Sequence, residues 1–242
     1  GTPCDLDAIS ALQDAHEKKH GYRPPLIEDG AHAFGAEWDE KPLGNHGNYV
    51  MHSFQAIKHL TTGDGGLLIT PDEETCKDAK LLRWFGLDRE SSKDMRCEQN
   101  VAKHGYKFHM NDINAVIGLE NMKPLNGILY THRRNAHVYE LQLKDVPGVR
   151  LLEPDYTRCM SSFWIYTLRV ERRDDFIAKL AAEGISSSRV HDRNDKHRCL
   201  AKYKVDLPGT DEVCSDMICI PCGWWVDEVQ VAHIVKTIQS GW

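Results

Sequence analysis

Short apolar runs alternate with a helical pattern over the first third of the chain, and few folds accommodate that alternation. PPLIED (24–29) reads as a buried strand ending in charge, and GNYVMHSF (47–54) as a second. GGLLIT (65–70) is a third, after a glycine-rich turn, and EETCKDAKLLRWFG (73–86) returns to helix and stops at Gly86. Strands this short with helices between them predict an α/β layer built on a largely parallel sheet. Ahead of them, DLDAISALQDAHEKKH carries Leu6, Ile9 and Leu12 at three-residue spacing, an amphipathic surface helix that runs out at Gly21.

The rhythm changes later. From Leu87 to Gly105 the chain is polar and irregular, an excursion expected on the surface or over a site. A helix capped by Asn111 follows, and another is expected from Thr131 to Val146. Beyond these come strand SFWIYTLRV, helix DDFIAKLAAEGI closed by Gly184, strands SSSRV and MICIP, and a last helix VDEVQVAHIVKTI. That pattern predicts a small α+β domain, so the chain divides into residues 1–125 and 126–242.

Composition excludes several classes. Thirty basic against 36 acidic residues give a net charge of −6 without long like-charge runs, so nothing marks a nucleic-acid or anionic-membrane footprint. No apolar run approaches the roughly 20 residues that cross a bilayer, and no signal peptide opens the chain. The eight cysteines are read as reduced thiols of a cytoplasmic protein. Cys219 and Cys222 form a C-x-x-C inside the apolar run MICIPCGWW with no second pair nearby, which reads as core strand rather than metal site. The stretch RVHDRNDKH sets His191 and His197 beside Asp192 and Asp195, without a spacing that suits a metal.

Three residues carry the chemistry. Asp29 ends an apolar strand, and the carboxyl edge of an open α/β sheet is where ligands bind. Ser53 stands at the same end of the next strand, and Lys58 lies five residues further on, ahead of the glycine turn. Alone, each has an ordinary explanation: a turn-capping Asp, a solvated Lys, an incidental Ser. Together they match what pyridoxal phosphate requires. An amine must form a Schiff base with its aldehyde, a carboxylate must keep its ring nitrogen protonated, and hydroxyl donors must meet its phosphate.

The ordered blocks IEDGAHAFGA, SFQAIKHLTTGDGGLLIT, LLRWFGLDRE and GYKFHMNDINAVIGLENM resemble the DegT/DnrJ/StrS family of pyridoxal-phosphate-dependent nucleotide-sugar aminotransferases. The resemblance is continuous from Thr2 to Met122 and looser through SSFWIYTLRV, RVHDRND and IPCGWW. It implies a partial fold-type-I α/β transferase followed by a small α+β carboxyl-terminal domain. By resemblance Lys58 is the catalytic lysine and proton shuttle, Asp29 binds the ring nitrogen, His32 the 3-hydroxyl and Ser53 the phosphate. Lys107 then reaches a neighbouring subunit's cofactor phosphate, which implies a homodimer, whereas His109 stands where the family often has Arg. His191 and Arg193 are expected to face the substrate.

The implied reaction moves an amino group, from glutamate by analogy, to a keto sugar linked to a nucleotide. Two alternatives stand beside it: a related sugar dehydratase, against which Lys58 argues because those enzymes carry His there, and a truncated, non-catalytic module. The family carries a segment ahead of the position of Gly1 that supplies phosphate-binding amides and a ring-stacking aromatic. A fragment, or completion by a separate polypeptide, is therefore expected.

Overall fold

The computed structural model describes residues 1–90 and 93–242. It divides into two compact units, residues 1–125 with 157–161 and residues 126–156 with 162–242. The elements are, in order, α1 (Leu6–His20), β1 (Ile27–Asp29), β2 (Glu37–Trp38), β3 (Lys41–Pro42), β4 (Tyr49–Ser53), β5 (Gly66–Ile69), α2 (Glu73–Leu82) and α3 (Asp112–Met122). Then come α4 (Leu125–Leu143), β6 (Val149–Leu151), β7 (Cys159–Met160), β8 (Tyr166–Val170), α5 (Arg173–Ala182), α6 (Pro208–Asp216), β9 (Met217–Ile220) and α7 (Glu228–Gln239).

In the first unit, β4 lies between β1 and β5. It runs parallel to β1, with Asp29 opposite Met51, and antiparallel to β5, with Ser53 opposite Gly66. Parallel pairing brings the carboxyl ends of β1 and β4 to one edge, so Asp29 and Ser53 share it. A second small sheet joins β3, β2 and β7 in antiparallel order, Trp38 facing Cys159. Its Trp38 packs with Leu6, Ala33, Ala36, Leu43 and Cys159 into a small core.

Helix ends follow local chemistry. Asp5, Asp72 and Asn111 cap α1, α2 and α3 by accepting from the amides of Ala8, Thr75 and Asn114 at 2.7–3.0 Å. Gly21 closes α1 in the left-handed region. The expected stripe of α1 is only partly realised: Leu6 is buried while Leu12 is 72% exposed. Three-residue steps of about 300° leave residues six apart on different faces, so Leu12 leaves the packed side.

The second unit holds an antiparallel sheet, β6-β8-β9, with a large core centred on Leu168, Ile218, Tyr139, Phe176 and Ile238. Helix α4 starts at Leu125 rather than Thr131. Pro124 just before a helix start costs no hydrogen bond and Gly127 is tolerated inside, so neither delays the start. SSSRV forms one bridge, Ser188 to Cys219, instead of a strand. Cys219 and Cys222 are both buried, Cys219 on β9 and Cys222 with its thiol donating to the His132 carbonyl at 3.2 Å.

Candidate active site

Asp29 is placed by its neighbour. A Cβ on Gly30 would come within 3.0 Å of the His52 ring and the Met51 carbonyl, so only glycine lets the chain turn this close to β4. His52 Nδ1 donates to the Gly30 carbonyl at 2.9 Å and ties that turn to β4. Asp29 itself is exposed, and one of its oxygens accepts from the Ala31 amide at 3.1 Å. The turn-capping reading of Asp29 is therefore true, and it also fixes where the carboxylate points from the sheet edge. His32 lies half-buried in the same turn, which the Ala33 amide closes onto the Gly30 carbonyl.

Lys58 sits in a loop pinched at its neck. The amides of Phe54 and Thr62 bind the Gly65 and Phe54 carbonyls at 2.8 and 2.9 Å, while His59, Leu60 and Thr62 are buried beneath it. Its own amide donates to the Gln55 carbonyl, and Ser53 Oγ accepts from the Gln55 amide at 3.3 Å. Partial burial lowers the pKa of the Lys58 ammonium below that of ordinary lysine, and the Asp29 carboxylate works in the opposite direction. The two charges thus interact, which brings together two of the residues singled out in the sequence.

One helix holds that loop. Asn114 on α3 donates from Nδ2 to the carbonyls of Thr62 and Asp64, both at 2.8 Å, and Asn121 donates to Thr61 at 3.1 Å. Sequence reasoning passed over both asparagines. Their seven-residue spacing, which places them on one helix face, was the available signal.

The remaining candidates lie on later segments of the chain. Lys107 is exposed and its ammonium lies 5.5 Å from the centroid of Trp84, with which it also forms a bridge. His109 packs edge-on against that indole, and desolvation, reinforced by Lys107, Arg89 and Arg83, lowers its pKa. In the second unit His191 is exposed. Arg193 is bound by Asp195 and Asp211 and by the Val205 carbonyl, so its guanidinium cross-links its own loop. Within the excursion after Gly86, Ser91 and Ser92 lie outside the described residues.

Among the described residues no group of three or more His, Cys, Asp or Glu side chains could hold a metal, and no helix is long and apolar enough to cross a membrane.

A family model for the DegT/DnrJ/EryC1/StrS aminotransferase family matches residues 1–239. The chain belongs to that family. Of solved structures, AtS13 from Actinomadura melliaura superposes with a TM-score of 0.95 at 45% identity. The sugar aminotransferase CalS13 from Micromonospora echinospora gives 0.95 at 39%. In both cases the match covers 99% of this chain and 64% of the other. An uncharacterized protein of Methanocaldococcus jannaschii, MJ1066, is 28% identical over 99% of this chain and 64% of its own length. The chain thus spans about 64% of the length of the relatives it matches. The fold is, in part, that of AtS13 and of the sugar aminotransferase CalS13.

Members of this family depend on pyridoxal phosphate. The residues present fit that group: a half-buried amine of lowered proton affinity stands within electrostatic reach of a carboxylate, at the edge where two parallel strands end. Lys58, Asp29, His32 and Ser53 are the residues that would hold it.

Proposed function

We propose that this chain carries the amine and ring-binding half of a sugar aminotransferase site. The observation that carries the reading is the Lys58–Asp29 interaction at the carboxyl edge of β1 and β4. When bound, pyridoxal phosphate supplies an electron sink for the bond broken at the amino-bearing carbon. Lys58 would present its nitrogen and move the proton between that carbon and the cofactor's, a task that suits an amine of lowered proton affinity. Asp29 would keep the ring nitrogen protonated, His32 would meet the 3-hydroxyl, and Ser53 would donate to the phosphate.

The amino donor in this reading is an amino acid, glutamate by analogy, and the acceptor is a keto group on a nucleotide-linked sugar. His191 and the loop that Arg193 cross-links face that substrate. Residues 1–125 form part of the large cofactor domain and 126–242 the small domain of a cytoplasmic homodimer. Lys107 then serves the partner's cofactor phosphate. Its exposure, and the apolar side chains of Ile113, Val116 and Leu119 left 58–75% exposed on α3, support assembly.

Borohydride reduction in the presence of pyridoxal phosphate, followed by peptide mapping, tests the reading. The label is expected on Lys58, and a label on Lys107 or elsewhere sinks the assignment.

A further inference from the structure

Asp29 and His32, the two residues proposed to meet the cofactor ring, share one turn, and a buried imidazole on the neighbouring strand holds that turn. The β1–β4 ladder ends where Asp29 stands opposite Met51. Past that pair the chain leaves the sheet. The Gly30 amide donates to the Glu28 carbonyl at 3.1 Å, and the Ala33 amide donates to the Gly30 carbonyl at 2.9 Å. His52, the residue after Met51, reaches that same Gly30 carbonyl through Nδ1 at 2.9 Å. A carbonyl only accepts, so Nδ1 carries the proton and the bond sets the tautomer.

Packing alone does not call for a histidine here. Alternation along β4 puts His52 on the face of the fully buried Val50 and away from Met51 and Ser53. His52 is itself only 6% exposed. Phe34 stands edge-on to its ring at 5.2 Å and meets Phe54 in the same manner at 5.5 Å. An apolar ring would fill this aromatic niche without burying a polar group. What the imidazole adds is one directed donor, and that donor goes to the turn. The consequence reaches Lys58, because the Asp29 carboxylate at the start of the turn raises the proton affinity of the Lys58 ammonium against the effect of burial.

We propose that His52 is a positioning residue of this site: through the Gly30 carbonyl it fixes the turn that carries Asp29 and His32, and so fixes the carboxylate relative to Lys58. In giving that turn to a cofactor ring the inference rests on the proposed function; the link from His52 through Asp29 to Lys58 stands without it.

Trace acetylation of the whole chain, with the Lys58 rate read by mass spectrometry from neutral to alkaline pH, tests the link in the absence of cofactor. H52F keeps an aromatic ring against Phe34 and has no donor. Without its tie the turn spreads over more positions and the carboxylate acts less on Lys58. Lys58 should then acetylate at least about 1.5-fold faster than in the parent, and less fast than in D29N. H52N has its amide nitrogen the same number of bonds from the backbone as Nδ1, so it keeps the donor and should restore the parent rate. In a D29N background H52F should change nothing further, because no charge is left to position. A side chain that merely fills space would accelerate acetylation equally in both backgrounds.

An unchanged or slower rate in H52F, H52N behaving as H52F does, or equal acceleration with and without Asp29 overturns the proposal. Should circular dichroism show that H52F does not fold, H52L, which lacks the same donor in a smaller side chain, takes its place with the same outcomes. Borohydride labelling with pyridoxal phosphate separates this inference from the proposed function. If acetylation follows the expected pattern while Lys58 stays unlabelled, the His52 link stands and the aminotransferase reading fails. Labelled Lys58 with no effect of H52F does the reverse.

Discussion

Lys58 is subject to two opposing influences, and their balance sets how readily it reacts. Burial disfavours its charged form, while the Asp29 carboxylate favours it. Removing the carboxylate by D29N therefore drops the ammonium pKa further, and at pH 8 a larger share of Lys58 is neutral. One whole pKa unit is a factor of about ten in neutral amine, so acetylation of Lys58 in D29N should run about two- to tenfold faster than in the parent. Quantitative mass spectrometry on trace-acetylated protein reads this directly; an unchanged or slower rate would show that the two groups do not interact. Transamination by a complete enzyme should move the other way, because an amide cannot hold the ring nitrogen protonated. Asp29 was legible in the sequence because it sits where an apolar run ends, and Lys58 because it lies five residues past Ser53, ahead of a glycine turn. His52 was not legible as their support. Its bond to Gly30, 22 positions away, depends on the register between β1 and β4, and nothing in the local pattern announces that register.

Among elements, α3 combines two tasks that its sequence shows unequally. Its cap at Asn111 and its apolar residues predicted a helix, and one forms at Asp112–Met122. What the pattern concealed is that its polar face anchors the lysine loop. N114A removes both contacts to the Thr62 and Asp64 carbonyls, and losing one or two such bonds costs about 1–3 kcal/mol. The expected result is a lower urea midpoint, together with faster proteolysis within residues 54–66 and little change in β8 or α7. Unchanged cleavage in that loop would mean that the neck bonds of Phe54 and Thr62 and the Asn121 contact hold it without Asn114. Helix limits proved less legible than helix existence: the helix expected from Thr131 starts at Leu125 and runs across Gly127. Likewise α6 begins with a proline at its first turn, a position that reads as loop when the pattern behind it is weak.

On the scale of the whole chain, the two units invest differently in burial. Seventeen buried residues form the core cluster of the second unit among the described residues, and six form that of the first. The first unit leaves Leu67 and Leu68, successive residues on opposite faces of β5, at 44% and 53% exposure, so neither side of that strand is covered. Apolar burial is the main favourable term in folding, at about 25 cal/mol per Å², so the two units should not open at the same free energy. Amide hydrogen exchange followed by mass spectrometry should find β8 and α7 protected well after β4 and β5 have exchanged. In β8, L168A should lower the protection of the second unit by about 2–5 kcal/mol, the range for a fully buried leucine. It should leave the first unit's faster exchange where it was, because the two cores share no buried residue. Unfolding then proceeds in two steps, and a single midpoint from a denaturant curve does not describe the chain. Equal protection across both units, or loss of protection in β4 on L168A, would show instead that the chain unfolds as one cooperative body.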